Sequence, residues 1–185
     1  MESVVTLSGG DAGELLTLQR AAYVTEAQAH DDVNLPPLTQ SLDELVSELT
    51  RPDVLAFGLR DDARRLVAAV RVYLSPTEPH TAEVGRLVVA PDMQGRGRGS
   101  RLLELVEERL PERITGLQLF TGERSLGNLR LYSRFGYCRP SRNSPGVSVT
   151  EFPMSGCAES RVAGPVPGLV QFAAAARCPG RLRGR

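Results

Sequence analysis

Three glycines at alternate positions lie between a strand-like run and a helix-like run near the middle of the chain. They belong to the segment Gln94-Gly95-Arg96-Gly97-Arg98-Gly99, which follows the apolar run 87–91. Glycine lets a backbone approach an anion closely, and the N–H groups in the first turn of a helix have no partner within the helix. The pattern therefore predicts a cradle for a phosphate or pyrophosphate group.

The elements that position this segment are predicted from the periodicity of apolar residues. Strands are predicted at 4–7, 54–60, 65–74, 82–90, 117–120 and 146–154. Helices are predicted from Asp11 to about residue 30, from Ser41 to about residue 50, and over 100–110 and 126–134. The paired prolines at 36–37 predict an irregular segment without a helix. This order, with one hairpin among helical crossovers, predicts an α/β (α+β) fold with a mixed sheet and helices on its faces.

Composition divides the chain into one domain and a tail. The length of 185 residues suits one ordinary domain, and residues 1–156 carry all of the predicted strands and helices. From residue 157 the sequence turns to Ala, Gly, Pro and Arg without periodicity. We therefore expect 157–185 to be a flexible or disordered tail that is dispensable for folding, with at most a transient helix at 168–177.

The overall composition is that of a soluble globular protein, with 41% hydrophobic and 24% charged residues. The sequence lacks an apolar run of the roughly 20 residues that a membrane span requires, and its N-terminus lacks the features of a secretory signal. We expect a cytoplasmic protein without a membrane partner. The formal net charge of zero gives no electrostatic reason to expect nucleic acid as a partner.

Residue types argue against two other kinds of site. Cys138, Cys157 and Cys178 lie in no metal-type spacing, so neither a metal site nor a disulfide framework is expected. A Walker-type nucleotide site requires a lysine after the glycines, and the chain contains no lysine. The phosphate compound must therefore be held by a different kind of glycine loop.

Two motifs at matching spacing resemble the GCN5-related N-acetyltransferase (GNAT) superfamily. The family signature, Gln/Arg-x-x-Gly-x-Gly/Ala between the fourth strand and the third helix, is intact at 94–99. A second family mark, a helix ending in Leu-Tyr-x-x-x-Gly-Phe, corresponds here to Leu131-Tyr132-Ser133-Arg134-Phe135-Gly136-Tyr137. The two marks enclose one helix and one strand, as in the family, and the resemblance covers about residues 4–154.

The resemblance implies a mostly antiparallel sheet of about six to seven strands flanked by about four helices. It also implies acetyl-CoA as the co-substrate, with no metal, in a cleft where the fourth and fifth strands diverge. The side chains of Arg96 and Arg98 are either phosphate contacts or solvated loop arginines. The residues expected at the coenzyme are Leu87, Val88 and Val89 through their backbone, Gln94, Gly95, Arg96, Gly97, Arg98 and Gly99 around the pyrophosphate, and Ser125, Asn128 and Tyr132.

One position departs from the family pattern. The helix that carries Tyr132 commonly opens with an Asn seven residues upstream, where this chain has Ser125, and Asn128 stands where a small residue is usual. In the family that Asn often binds the pantetheine arm. Ser125 either takes over this contact or caps the helix.

Catalytic roles are expected for two side chains, Tyr132 from the resemblance and Glu83 from its place on the fourth strand. Tyr132 is expected to donate a proton or hydrogen bond to the departing CoA thiolate, and Glu83 is the best candidate for the base that deprotonates the amine. Strand alternation predicts that Glu83, Gly85, Leu87 and Val89 share one face. The Val89 N–H is the expected oxyanion donor.

Other polar residues are weaker candidates for the acceptor side of the cleft. His30, Asp31 and Asp32 follow the first predicted helix, in a loop that forms an acceptor wall in the family. Glu123 and Arg124 follow the fifth strand and are candidates for contacts with acceptor or coenzyme.

The expected function is acetyl-CoA-dependent acetylation of a primary amine, of a small molecule, by direct attack on the thioester. Two alternatives remain open: acetylation of a protein or peptide amine, and a non-catalytic acyl-CoA-binding module. Dimers are common in the family, so a homodimer is one assembly that the resemblance allows.

Overall fold

A computed structural model describes residues 2–138 and 169–175 of the chain. A single sheet of six strands lies at the centre, with the strands side by side in chain order. The strands are β1 (Ser3–Thr6), β2 (Val54–Arg60), β3 (Leu66–Leu74), β4 (Thr81–Val89), β5 (Gly116–Gly122) and β6 (Leu169–Ala175). Every neighbouring pair is antiparallel except β4 and β5, which are parallel. The predicted mixed, mostly antiparallel sheet is confirmed.

The described part of the chain contains five α-helices, one more than predicted. They are α1 (Ala12–His30), α2 (Pro36–Thr39), α3 (Leu42–Leu49), α4 (Arg98–Arg109) and α5 (Leu126–Arg134). The capping box predicted at the start of α3 is confirmed, because the Glu44 N–H donates to the Ser41 hydroxyl at 3.2 Å and the Ser41 N–H donates to the Glu44 carboxylate at 2.7 Å. Within 2–138 and 169–175, none of the helices has both the length and the apolar character that a membrane span requires.

The short helix α2 contradicts the prediction of an irregular segment at the paired prolines. Pro36 and Pro37 occupy the first positions of this helix. The N–H groups of a first helical turn have no acceptor within the helix, so proline loses nothing there and its fixed φ suits the helix. The prolines start the helix and do not prevent it.

Strand β6 contradicts the expectation of a flexible tail for part of 157–185. All seven of its residues pair with β5, from Gly116 opposite Ala175 to Gly122 opposite Leu169. Phe172, opposite Leu119, is only 4% exposed and packs in the core. Backbone pairing and one apolar anchor define this strand, and neither produces a periodic pattern in the sequence. The predicted strand at 146–154 and the remainder of the predicted tail lie outside the described residues.

The sheet buries two apolar clusters, one on each face. The face covered by α4 and α5, called here the α4–α5 face, includes Val72, Val84, Leu102, Leu119 and Tyr132. The face covered by α1 and α3, called here the α1–α3 face, includes Leu15, Leu45, Ala69 and Val88. A side chain of the central strands therefore lies either on the α4–α5 face or on the α1–α3 face.

Candidate active site

The parallel strands β4 and β5 separate after a short paired stretch. Their pairing runs only from Thr81 opposite Gly116 to Glu83 opposite Gln118. Strand β4 continues to Val89 and β5 to Gly122, and no pairing between them is present along these described parts. The result is a gap in the sheet whose β4 side offers backbone hydrogen-bonding groups.

A bulge in β4 changes which face its side chains occupy. Arg71 of β3 is opposite Gly85, whereas Ala69 is opposite Val88, so β4 carries one extra residue between these pairs. Arg86, within the bulge, has a φ of 51°, in the left-handed region that non-glycine residues rarely adopt. The alternation of side chains is therefore shifted beyond this residue.

The prediction that four β4 side chains share one face is wrong because of this bulge. Glu83 and Gly85 lie on the α1–α3 face, since Glu83 is opposite Tyr73 and a Cβ on Gly85 would meet the Tyr73 ring at 2.7 Å. Leu87 and Val89 pack against the core of the α4–α5 face. The candidate base and the coenzyme-side residues are thus on opposite faces of β4.

The end of β4 directs backbone groups into the gap. The Ala90 N–H donates to the Val67 carbonyl of β3 at 2.8 Å, so by alternation the N–H and carbonyl of Val89 face away from β3. The Val89 carbonyl accepts from the Gln94 side chain at 3.2 Å. The same alternation turns the backbone groups of Val88 toward β3. Leu87 and Val89, and not Val88, offer backbone groups to the gap.

The glycine segment forms an open loop at the start of α4. Gly95 and Gly97 have φ values of 74° and 77°, and a Cβ added at either position would meet nothing within 4 Å. Gly97 is the N-cap residue of α4. Gly99 is the crowded glycine, because its Cβ would lie 3.0 Å from the Leu131 side chain of α5. The loop leaves room for an anion beside unpaired first-turn N–H groups, which fits the pyrophosphate of a coenzyme.

The two arginines of the loop differ in their surroundings. The Arg98 side chain is largely buried, with 11% exposure. It donates to the Met93 carbonyl at 3.1 Å and pairs with the Glu2 carboxylate. Arg96 is exposed, and its guanidinium lies 3.8 Å from the Met93 sulfur. Arg98 therefore anchors the loop, and Arg96 is the arginine that remains available for phosphate.

Glu83 occupies the position of the last paired residue before the gap. Burial raises the pKa of its carboxyl above the ordinary value, whereas the nearby Arg86 guanidinium acts in the opposite direction. A carboxylate with a raised pKa is a better proton acceptor than an exposed one.

Tyr132 lies in the core of the α4–α5 face with 5% exposure. Its ring contacts Tyr137 edge-on, with centroids 5.9 Å apart, and Phe172 at 6.3 Å. Burial raises the pKa of its hydroxyl, and the neighbouring Tyr23, Tyr137 and Glu26 raise it further. The phenol therefore keeps its proton throughout the neutral range.

The sequence of residues 16–137 matches the family model described as the acetyltransferase (GNAT) family. The chain belongs to the GNAT family. Its members are acetyl-CoA-dependent acetyltransferases, so the protein is an acetyltransferase. A comparison with curated protein sequences gives no match.

Solved structures of similar fold include three N-acetyltransferases. The ribosomal-protein-S18-alanine N-acetyltransferase of Escherichia coli is 17% identical, with a TM-score of 0.66 and coverage of 100% of both chains. The PaiA N-acetyltransferase of Thermoplasma acidophilum in complex with coenzyme A is 16% identical, with a TM-score of 0.68 over 95% of this chain and 99% of that one. A chimera of spermidine N-acetyltransferase from Vibrio cholerae is 18% identical, with a TM-score of 0.63 over 95% of each chain.

Ser125, which replaces the usual Asn of the GNAT family, does not cap α5 with its side chain. It is the N-cap residue, but its hydroxyl donates to the Glu26 carboxylate of α1 and makes no capping bond. Asn128, in the first turn of α5, lies 3.4 Å from the Thr121 hydroxyl of β5. Both residues lie where β5 ends and α5 begins, beside the gap.

His30, the last residue of α1, also lies beside the start of α5, close to Gly122. His30 Nε2 lies 3.6 Å from the Glu26 carboxylate, one turn earlier on α1. Asp31, with a φ of 52°, ends the helix, and Asp31 and Asp32 are exposed. Sequence reasoning missed Glu26. Its i, i+4 spacing to His30 was the available signal, and that spacing is common on helix surfaces.

A buried polar network supports the Glu83 side of this GNAT domain. Arg71 is 1% exposed, donates to Glu48 at 3.0 Å and also bonds the Gln19 side chain. The Tyr73 hydroxyl donates to the same Glu48 carboxylate. Tyr73 is the residue opposite Glu83, so this network fixes the surface on which the candidate base lies.

Proposed function

We propose that this acetyltransferase transfers the acetyl group of acetyl-CoA directly to a primary amine of a small molecule. The observation that supports the proposal is that Glu83 lies at the last β4–β5 pair before the gap and that Tyr132 lies on α5, the helix that follows β5. Glu83 is a half-buried carboxyl at the last β4–β5 pair, and Tyr132 is a buried phenol on the helix that follows β5. A proton acceptor and a proton donor thus flank the place where the strands diverge.

The coenzyme is proposed to lie along the open side of β4. Backbone groups of Leu87 and Val89 meet the pantetheine amides, as an added strand would. N–H groups of the loop from Gln94 to Gly99 hold the pyrophosphate, since the N-terminal end of α4 favours negative charge. This arrangement places the thioester at the gap.

The amine is proposed to reach the thioester from the α1–α3 face, where Glu83 lies. Glu83 takes a proton from the ammonium group, and the neutral amine attacks the thioester carbonyl carbon. The Val89 N–H stabilises the oxygen that becomes negative. When the C–S bond breaks, Tyr132 donates a proton to the CoA thiolate; the new amide nitrogen loses its second proton to solvent, and Tyr132 regains one from solvent. The net products are an N-acetyl amine, CoA thiol and one proton.

The contacts at the end of α1 support a small acceptor. Glu26 bonds Ser125, and Arg124 donates to the Ala29 carbonyl at 3.4 Å, so α1 is attached to the loop between β5 and α5. We propose that this attachment limits the size of the acceptor that can reach the gap. Because the acceptors in the names of similar structures include both an alanine of a ribosomal protein and spermidine, the comparisons favour neither class.

The proposal is tested with the full chain, acetyl-CoA, and a matched panel of free amines and peptides. Release of CoA thiol, followed with a thiol reagent, is expected with free amines and not with peptides of the same charge. Turnover of peptides alone would overturn the small-molecule assignment. Tight acetyl-CoA binding without turnover on any amine would overturn the enzymatic proposal in favour of a binding module.

A further inference from the structure

Helices α1 and α5 are joined beside the gap by side chains that the mechanism does not use. The Ser125 hydroxyl donates to the Glu26 carboxylate, and Ser125 is 8% exposed. Arg124 adds its hydrogen bond to the carbonyl of Ala29. The last two turns of α1 are therefore attached to the start of α5.

The position of α5 depends on this contact because the helix has no side-chain cap of its own. The Ser125 hydroxyl donates a hydrogen bond to Glu26 and accepts none from the first-turn N–H groups of α5. Tyr132 follows Ser125 by seven residues, which is about two helical turns and therefore the same side of the helix. A displacement at Ser125 is transmitted to Tyr132 along a short, stiff element.

Close packing fixes the group against the end of β5. A Cβ on Gly122, the last residue of β5, would lie 2.8 Å from a Glu26 carboxylate oxygen and 2.9 Å from the Ser125 hydroxyl. It would also collide with His30 Nε2. The three polar side chains thus lie close against the backbone of a glycine.

The charge of Glu26 reaches the Tyr132 hydroxyl. Glu26 is one of three groups, with Tyr23 and Tyr137, that add to the effect of burial in raising the pKa of that hydroxyl. His30 Nε2 is shielded from solvent, has no hydrogen-bond partner among the described residues and lies 3.6 Å from Glu26. His30 on α1 and Ser125 at the start of α5 are the described groups that lie against this carboxylate.

We propose that Glu26 is a positioning residue of the acetyl transfer, which holds α5, and with it Tyr132, through its hydrogen bond with Ser125. The inference rests on the proposed role of Tyr132. Its chemical consequence is that Tyr132, which stays protonated in the neutral range, is held in place as proton donor while Glu83 accepts a proton from the amine.

The test compares Glu26→Ala, Glu26→Gln, Ser125→Ala and the double variant Glu26→Ala/Ser125→Ala. Glu26→Ala is expected to lower kcat at least tenfold without changing the Kd of acetyl-CoA. The double variant is expected to lose no more kcat than Glu26→Ala alone, because both substitutions break the same hydrogen bond. Glu26→Gln keeps an oxygen for the Ser125 hydroxyl, so it should retain most of kcat at neutral pH.

Glu14→Ala is the control for a merely structural role. Glu14 is also on α1, where it accepts from the Leu66 N–H and from Arg60 at 2.7 Å each. This variant should lower the Tm and leave kcat intact. The same result for Glu26→Ala, or additive losses in the double variant, would overturn the inference. If Tyr132→Phe leaves kcat unchanged, the proposed role of Tyr132 is wrong and the inference is wrong with it. If Tyr132→Phe lowers kcat but Glu26→Ala does not, only the inference about Glu26 is wrong.

Discussion

Glu83 and Leu87 lie on opposite faces of the sheet, although they are four residues apart on β4. The left-handed Arg86 between them supplies the extra residue that reverses the alternation. The candidate base therefore faces α1 and α3, and the coenzyme-side wall faces α4 and α5. In the proposed mechanism the two substrates therefore enter from opposite faces and meet where β4 and β5 diverge.

Replacing Glu83 by Gln should change the pH dependence of kcat/KM. Burial raises the pKa of this carboxyl, so wild-type kcat/KM should fall as the pH drops through that raised value, where the base becomes protonated. In Glu83→Gln the rate should fall by about 10²–10⁴-fold and then follow only the fraction of neutral amine. The exposed Glu104→Gln is the control. A wild-type profile in Glu83→Gln would exclude Glu83 as the base.

Replacing Tyr132 by Phe should lower turnover and not coenzyme affinity. The variant removes the proton donor for the thiolate and keeps the ring contacts with Tyr137 and Phe172. We expect kcat to fall by about 10²-fold or more, with the Kd of acetyl-CoA unchanged. Steady-state kinetics and calorimetry measure the two quantities. Equal losses in both would show that Tyr132 contributes to binding and has no specific role in the leaving-group step.

Replacing Gly97 by Glu should abolish coenzyme binding. The residue has a φ of 77°, which disfavours any side chain, and a carboxylate there would repel a pyrophosphate. Gly13→Glu is a matched control, since Gly13 lies in α1 with nothing within 4 Å of an added Cβ. Acetyl-CoA affinity, measured by calorimetry, should be lost in the first variant and kept in the second. Unchanged affinity in Gly97→Glu would contradict the cradle.

Strand β6 should be required for stability. Phe172 is 4% exposed and contacts the Tyr132 ring, so Phe172→Ala should lower the free energy of unfolding by about 3–5 kcal/mol. Truncation before residue 169 should have a larger effect, because it also exposes the edge of β5. Removal of 176–185 alone leaves the strand in place and serves as the control. Denaturant unfolding measures each effect, and a truncated chain of full stability would contradict the pairing of β6 with β5.

Replacing Glu48 by Ala should destabilise the fold by about 3–5 kcal/mol, because it leaves the buried Arg71 charge without its carboxylate. Asp43→Ala, on the exposed side of the same helix, should have little effect. Urea unfolding of both variants checks the difference. Equal stabilities would show that the network contributes nothing net.

The sequence by itself was sufficient for the features that are local in the chain. The capping box at Ser41, the hairpin of β2 and β3, the helix that carries Tyr132 and the glycine loop all depend on residues a few positions apart, and each is present in the structure. Spacing between motifs was also sufficient for the family, because the loop and the Tyr132 helix enclose one helix and one strand. Such features are determined by backbone propensities and short-range hydrogen bonds.

Tertiary structure alone decided the features that depend on residues far apart in the chain. Strand β6 exists because β5 offers an unpaired edge and the core accepts Phe172, and the face of Leu87 is set by how β4 pairs with β3 around Arg86. Ser125 bonds Glu26, 99 positions away in sequence, because the end of α1 packs beside Gly122 at the end of β5. Long-range pairing, packing and charge contacts of this kind produce no periodic pattern in either segment. Each segment finds its hydrogen-bonding and packing partners only in the other segment, so neither sequence alone indicates the contact.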